Sequence, residues 1–294
     1  MLLSEVAGDI GIEVLRDGEF EALGFLGARE PKTLSLLYDA RFAAAIAANP
    51  HISAVLATPD LAASLPEKAV ATHRDPRDAF FRLHLHLART GFYWTDFETE
   101  IHPTATIHPS AYVAPRNVRI GANVTVDPHV TILERTIIGE GTVLRSGVVL
   151  GTEGFEVREI GGERQVVPHT GGVKLGRNVQ IMANTCVCSN LLGGFTEVGD
   201  DSVVDNLVHV AHGVKIGKRC RIVASAMLGG STAIGDDVWV GPNATVSNGL
   251  TIGDRARITL GAVVTRDVPE DGHVTGHFAI DHEAFKRQMR AARQ

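Results

Sequence analysis

The sequence predicts a mainly β chain: a β-solenoid over residues 98–268, a small α/β domain over 1–97 ahead of it, and a helical tail over 269–294. Three observations carry this expectation. An aliphatic residue recurs every six positions without a slip from Val198 through Val210, Ile216, Leu228 and Ile252 to Val264. That period fits neither an amphipathic helix nor an alternating strand, but it fits stacked units that cannot bury an apolar side alone. Thirty-one Gly against three Tyr and two Trp suit a tightly turned repeat. Residues before about 97 and after about 268 lack the period altogether.

In the first segment, short apolar runs at 20–26, 34–37, 52–58 and 69–72 read as strands, and 41–48 and 78–89 as helices. Pro50, Pro59, Pro66 and Pro76 punctuate them. The repeat opens at Ile101-His-Pro-Thr-Ala-Thr and Ile107-His-Pro-Ser-Ala-Tyr, resets its phase at Ile120, and holds to Leu150. The Gly-rich, charged interval 151–172 must leave the solenoid as a loop, and such insertions often serve binding. The period resumes at Leu175, stumbles at Leu191-Leu-Gly-Gly, and then runs clean from Val198. The tail ends in a helix-like run whose Lys286, Arg287, Arg290 and Arg293 are basic in an acidic protein. They read either as a solvated capping helix with cations at its C-terminus or as a docking patch for an acidic partner.

Composition narrows the function classes. A net charge of -6 argues against nucleic acid as a partner. No basic-then-apolar leader and no membrane-length apolar run is present, so the expected location is cytoplasmic, without a transmembrane segment. Cys186, Cys188 and Cys220 are odd in number and read as reduced small hydrophobes, with a structural disulfide or zinc site as the alternative.

Among thirteen His, His102 and His108 follow inward aliphatics and read as outward decoration, and His84 and His86 as packing in a helix. His209 and His212 differ, because they fall in the most regular part of the repeat, where nothing polar is required. Three readings stand: a zinc pair, a structural pair, or a general base titrating near neutrality. Positions eighteen before and after the pair are Leu191, Gly194, Met227 and Gly230, none a zinc ligand, so no metal is expected. As a base, His212 would take a proton from a nucleophile attacking a thioester, and Gly230 would let the oxyanion approach a backbone N–H. Asp205 and Asn206, just before the pair, would orient an imidazole or hold a sugar hydroxyl.

The six-residue pattern resembles the hexapeptide repeat of left-handed parallel β-helices, where three hexapeptides make a triangular coil of eighteen residues. Such prisms are commonly homotrimers, so the resemblance implies a homotrimer. Asp205-Asn-Leu-Val-His-Val-Ala-His-Gly-Val-Lys-Ile-Gly217 resembles the active-site coil of the UDP-3-O-acylglucosamine N-acyltransferases of lipid A synthesis. The His-Val-Ala-His tetrad also resembles the UDP-N-acetylglucosamine O-acyltransferases. The resemblance implies His212 as base, Gly230 and Ser231 at the oxyanion site, and His209 beside the substrate. Gly151-Thr-Glu-Gly-Phe-Glu-Val157 looks like the family's sugar loop, implying Glu153 and Phe155 near the sugar. Ser35-Leu-Leu-Tyr-Asp-Ala-Arg-Phe42 stands where the family's uracil aromatics lie, implying Asp39 and Phe42 near a base.

The chain departs from the family at Cys188-Ser-Asn190, in place of Asp-Arg-Gly, and at Asn248-Gly249, in place of Gly-His. Asn248 is kept as a substrate-side candidate. The implied activity is transfer of an acyl group from acyl-acyl carrier protein or acyl-CoA to a nucleotide-linked amino sugar, with no permanently bound cofactor. The alternatives are a short-chain N-acetyltransferase using acetyl-CoA for surface polysaccharide, and a non-catalytic trimeric scaffold.

Overall fold

The computed structural model describes residues 1–276 and 281–291. Among the described residues, three parallel ladders of nine, eight and eight short strands form the sides of a prism, a left-handed parallel β-helix. The six-residue period becomes geometry directly. Val198, Val210, Leu228 and Ile252 point inward and lie in one continuous core. The small residues four positions later, such as Ser202, Ala226 and Ala244, are buried as well. Between them the chain turns each corner through one left-handed residue, for instance Asp201, Leu207, Gly213, Arg219, Ser225 and Ser231. Neighbouring rungs are held by backbone bonds such as His209 N–H to Ala226 O at 3.0 Å and Ala211 N–H to Leu228 O at 3.1 Å.

Two interruptions shape the prism. Residues between Thr152 and Gly172 leave the wall and carry an antiparallel hairpin, Val157–Ile160 with Glu163–Val166. Residues 189–194 form a second, smaller excursion that lengthens one coil: twenty-three residues, not eighteen, separate the paired strands there. The rung before His209 therefore carries Cys186 rather than Leu191. Leu191 is buried instead in the core of the N-terminal domain.

That domain is a five-stranded sheet with Glu13–Arg16 antiparallel at one edge and Ala69–Thr72, Ile52–Ala57, Thr33–Leu37 and Ala22–Leu23 following it in parallel. The helices Ala43–Ala48 and Pro76–Leu87 fall where their spacing predicts. The helix Leu3–Ile10 and the strand Glu13–Arg16 were not legible, since both are short and the strand is mostly exposed. Ile160, Val167 and Leu191, from the two excursions, share one core with Phe20, Phe80 and Leu83 of the domain. The domain is thus bolted to the prism through the loops that leave it.

His84 sits at this joint, fully buried. One ring nitrogen, Nε2, lies 2.8 Å from the Pro168 carbonyl and must donate to it, so in the neutral ring Nδ1 accepts from Tyr93 Oη at 2.7 Å. His84 is therefore more than packing, because it ties the domain to the long loop. Beyond the prism, the helix His282–Ala291 begins under an Asp281 carboxylate that accepts from Ala284 N–H at 3.0 Å. Arg287 and Arg290 are exposed on it, while Arg293 lies outside the described residues.

Burial pushes the His84 pKa below its ordinary 6.5, against a smaller upward pull from the Pro168 carbonyl. A depressed folded pKa means that the unfolded chain takes the proton first, so this stabilisation is complete above pH 6.5 and is lost as pH falls below it. Urea unfolding should show a falling midpoint between about pH 7 and 5, and His84→Gln should flatten that fall. An unchanged slope would disprove the role of His84.

Candidate active site

A cleft of about 1320 Å³ opens between the N-terminal domain and one side of the prism. Its prism wall carries His209, His212, Gly230 and Asn248, and its domain wall carries Tyr38 and Phe42. Both walls come from a single chain.

His212 lies at the corner following the strand His209–Val210. Its ring is half-buried, and its Nδ1 is fully buried without a hydrogen-bond partner among the described residues. Burial lowers its pKa below 6.5, the Glu156 carboxylate opposes that shift, and His209 adds to it. The neutral imidazole that a base requires is therefore the favoured form at neutral pH. Glu156, not Glu153, is the carboxylate that acts on it; the Glu156 side chain is only 13% exposed and pairs with Arg158. Glu153 turns back to accept from His169 N–H at 3.3 Å.

His169, which sequence reasoning passed over, packs edge-on against His212 with ring centroids 5.3 Å apart. Its Nε2 accepts from Gly154 N–H at 3.2 Å, and burial followed by the nearby His212 lowers its pKa. The only signal was a His inside a Gly-rich loop, and nothing in the spacing says that the loop folds back.

Gly230 lies against the His212 ring so closely that a Cβ there would fall 2.7 Å from Nε2. Any side chain at this position displaces the ring. The turn around Gly230 has another property. At the matching corner position of some coils the N–H is taken by a side chain, as in Lys218 to Asp236 Oδ1 and Asp236 to Asp254 Oδ1, both 2.8 Å, while at others, such as Asp200 and Asp254, no acceptor takes it among the described residues. Gly229 donates to Val246 O and Ser231 to His212 O, while no acceptor takes the Gly230 N–H among the described residues. An open N–H therefore lines the cleft beside the imidazole, the arrangement an oxyanion requires.

The remaining candidates divide. Ser231, Asn248, Phe155 and Phe42 line the cleft, with Phe155 89% exposed at its edge. Asp205 and Asn206 do not line it, because their side chains are spent on coil-to-coil bonds: Asp205 accepts from Ala224 N–H at 3.1 Å and Asn206 from Ala183 N–H at 3.0 Å. Asp39 accepts from Arg41 N–H at 3.0 Å and pairs with its guanidinium, so it caps a helical turn and does not face the cleft. Tyr38 does line the cleft, with the Arg77 guanidinium stacked 3.6 Å from its ring centre. His209 faces outward on its rung, directly over Cys186. Hydrogen bonding with Cys188 and then with His209 pulls the Cys186 thiol below its ordinary pKa. Cys220 belongs to the prism core, while Cys186 and Cys188, the latter also buried, lie on either side of the inward Val187.

The comparisons fit this geometry. The sequence model of the bacterial transferase hexapeptide family, six repeats long, matches residues 117–152, 195–230 and 231–266, which include His212 and Gly230. The UDP-N-acetylglucosamine acyltransferase of Francisella novicida superimposes with a TM-score of 0.51 at 26% identity, over 65% of this chain and 71% of that one. The matched stretches carry hexapeptide repeats, and the fold is of the left-handed β-helix class. More particularly, about a quarter of the chain is similar to UDP-3-O-acylglucosamine N-acyltransferases. It is 45% identical to that of Shewanella denitrificans over 73 residues, and 41% identical to one of Legionella pneumophila over 75. Those stretches are 25% and 26% of this chain, and they span 21% of each relative's own length.

Two outcomes are expected. The His212 ring should titrate below 6.5 by NMR, and Gly230→Ala should shift its resonances with the circular dichroism unchanged. Gly8→Ala, whose Cβ meets nothing within 4 Å, should leave them in place.

Proposed function

We propose that the chain is an acyltransferase that moves an acyl group from acyl-acyl carrier protein or acyl-CoA to the amino group of a nucleotide-linked amino sugar, of the kind used in lipid A synthesis. The observation that carries the reading is the pairing of a neutral, half-buried His212 with the open N–H of Gly230 across a contact too close for any side chain. The names of the relatives and of the structural neighbour supply the sugar class.

In this reading the sugar amine attacks the thioester carbonyl and His212 takes its proton. The tetrahedral oxyanion is met by the Gly230 N–H. The C–S bond then breaks, and the proton held by His212 passes to the leaving thiolate, completing the amide. Glu156 favours the transient imidazolium, since its charge pulls the His212 pKa upward. Phe155 and Asn248 contact the sugar or acyl group, and Tyr38 and Phe42 offer aromatic faces to a base. His209 and Ser231 stand beside the substrate, a homotrimer is the working assembly, and the location is cytoplasmic. The basic side chains Lys286, Arg287 and Arg290 dock the acidic carrier protein.

Mass spectrometry of products formed from UDP-, GDP- and dTDP-amino sugars with donors of several chain lengths tests the activity. His212→Ala is expected to reduce turnover by about 10²–10⁴ with the assembly intact; unchanged turnover overturns the assignment. The acid limb of the kcat profile should lie below pH 6.5, where the base gains its proton. Reversing the charge of Lys286, Arg287 and Arg290 should weaken carrier-protein binding, and an unchanged affinity removes docking at the tail.

A further inference from the structure

We propose a second site on the outer wall of the prism: Cys186, Cys188 and His209 together bind a thiophilic cation, zinc(II) or copper(I). A ring nitrogen of His209 and the two sulfurs all lie within 4.8 Å of one another. A tetrahedral ion with bonds of about 2.3 Å to sulfur and about 2.0 Å to nitrogen needs donors roughly 3.5–4 Å apart, so the three atoms already stand close to the spacing required.

The backbone is what brings the three together. Cys186 and Cys188 flank Val187, whose side chain is buried in the core, and strand alternation sends both sulfurs to the opposite, outer face. His209 stands on the next rung, in register with Cys186, because the excursion at 189–194 makes this coil twenty-three residues long. An eighteen-residue coil would have put Leu191 there, which is why the spacing in the sequence argued against metal. The ladder is firm on both sides of the cluster: Cys186 N–H bonds to Val208 O and His209 N–H to Ala226 O, each at 3.0 Å. Soft thiolates with an imidazole select zinc(II) or copper(I) over calcium or magnesium. Three ligands leave one position of a tetrahedron for water or another ligand. Cys188 is buried and Cys186 half-buried, so one side of the site is shielded.

The cluster shares His209 with the wall of the cleft, but its observations do not use the acyl-transfer reading, and its test uses no turnover. Full-length protein with its thiols reduced is loaded separately with zinc(II), copper(I) and cobalt(II). Metal content is measured after gel filtration, the zinc and copper arms are ranked by competition with chromophoric chelators, and the cobalt form is read by its sulfur-to-metal charge-transfer absorption. The expected result is one ion per chain and a thiolate band. Cys186→Ser and His209→Gln should each weaken binding at least tenfold, with the circular dichroism retained. Cys220→Ser, whose thiol lies in the prism core away from the cluster, should bind as the wild type does. Absence of bound metal and of the band in protein with free Cys186 and Cys188 thiols overturns the proposal. A band that survives both Cys186→Ser and His209→Gln overturns it as well.

Discussion

Between successive coils the backbone meets its neighbour in register, as where His209 pairs with Cys186 below and Met227 above, and the rest of the molecule depends on that ladder. Each bond adds little by itself, but the rungs have no other way to satisfy their buried N–H and C=O groups. The ladder therefore fixes which side chains share an outward column, whatever their distance in sequence. It leaves the aliphatic residues to fill the interior and the corners to left-handed residues. Corner bonding varies along the prism: a carboxylate of the next coil takes the N–H of Lys218 and of Asp236, while among the described residues no acceptor takes that of Gly230, which lines the cleft.

The same ladder explains what was legible in the sequence. Every aliphatic residue at the six-residue positions from Val198 to Val264 is buried, because a strict period leaves one side free of polar atoms. The closeness of His212 and Gly230 followed too, since the coil between them has its regular length and Ser231 N–H reaches His212 O at 2.8 Å. The failures lie where the period breaks. Six residues at 189–194 were enough to replace Leu191 by Cys186 as the neighbour of His209. The loop 151–172 returned His169 and Glu156 to His212, and only tertiary packing decides that. Asp205 and Asn206 were near His212 in sequence yet face a different corner, bonding to Ala224 and Ala183.

Charge and burial act on this frame without altering it. His212, His169 and His84 are all held below the ordinary imidazole pKa by burial. Keeping several rings neutral side by side avoids the repulsion that His169 and His212, 5.3 Å apart, would suffer if both were charged. The exposed pairs along the prism, such as Arg219 with Asp237, follow the outward columns and contribute little each, because water screens them.

The bond from His84 to the Pro168 carbonyl makes the N-terminal domain and the long loop a single lever. Pro168 immediately precedes His169, whose ring rests on His212. A rotation of the domain, the part that presents Tyr38 and Phe42, cannot leave the imidazole pair undisturbed. The domain that carries those aromatics is thereby joined to the corner of the prism through two residues of backbone and one hydrogen bond.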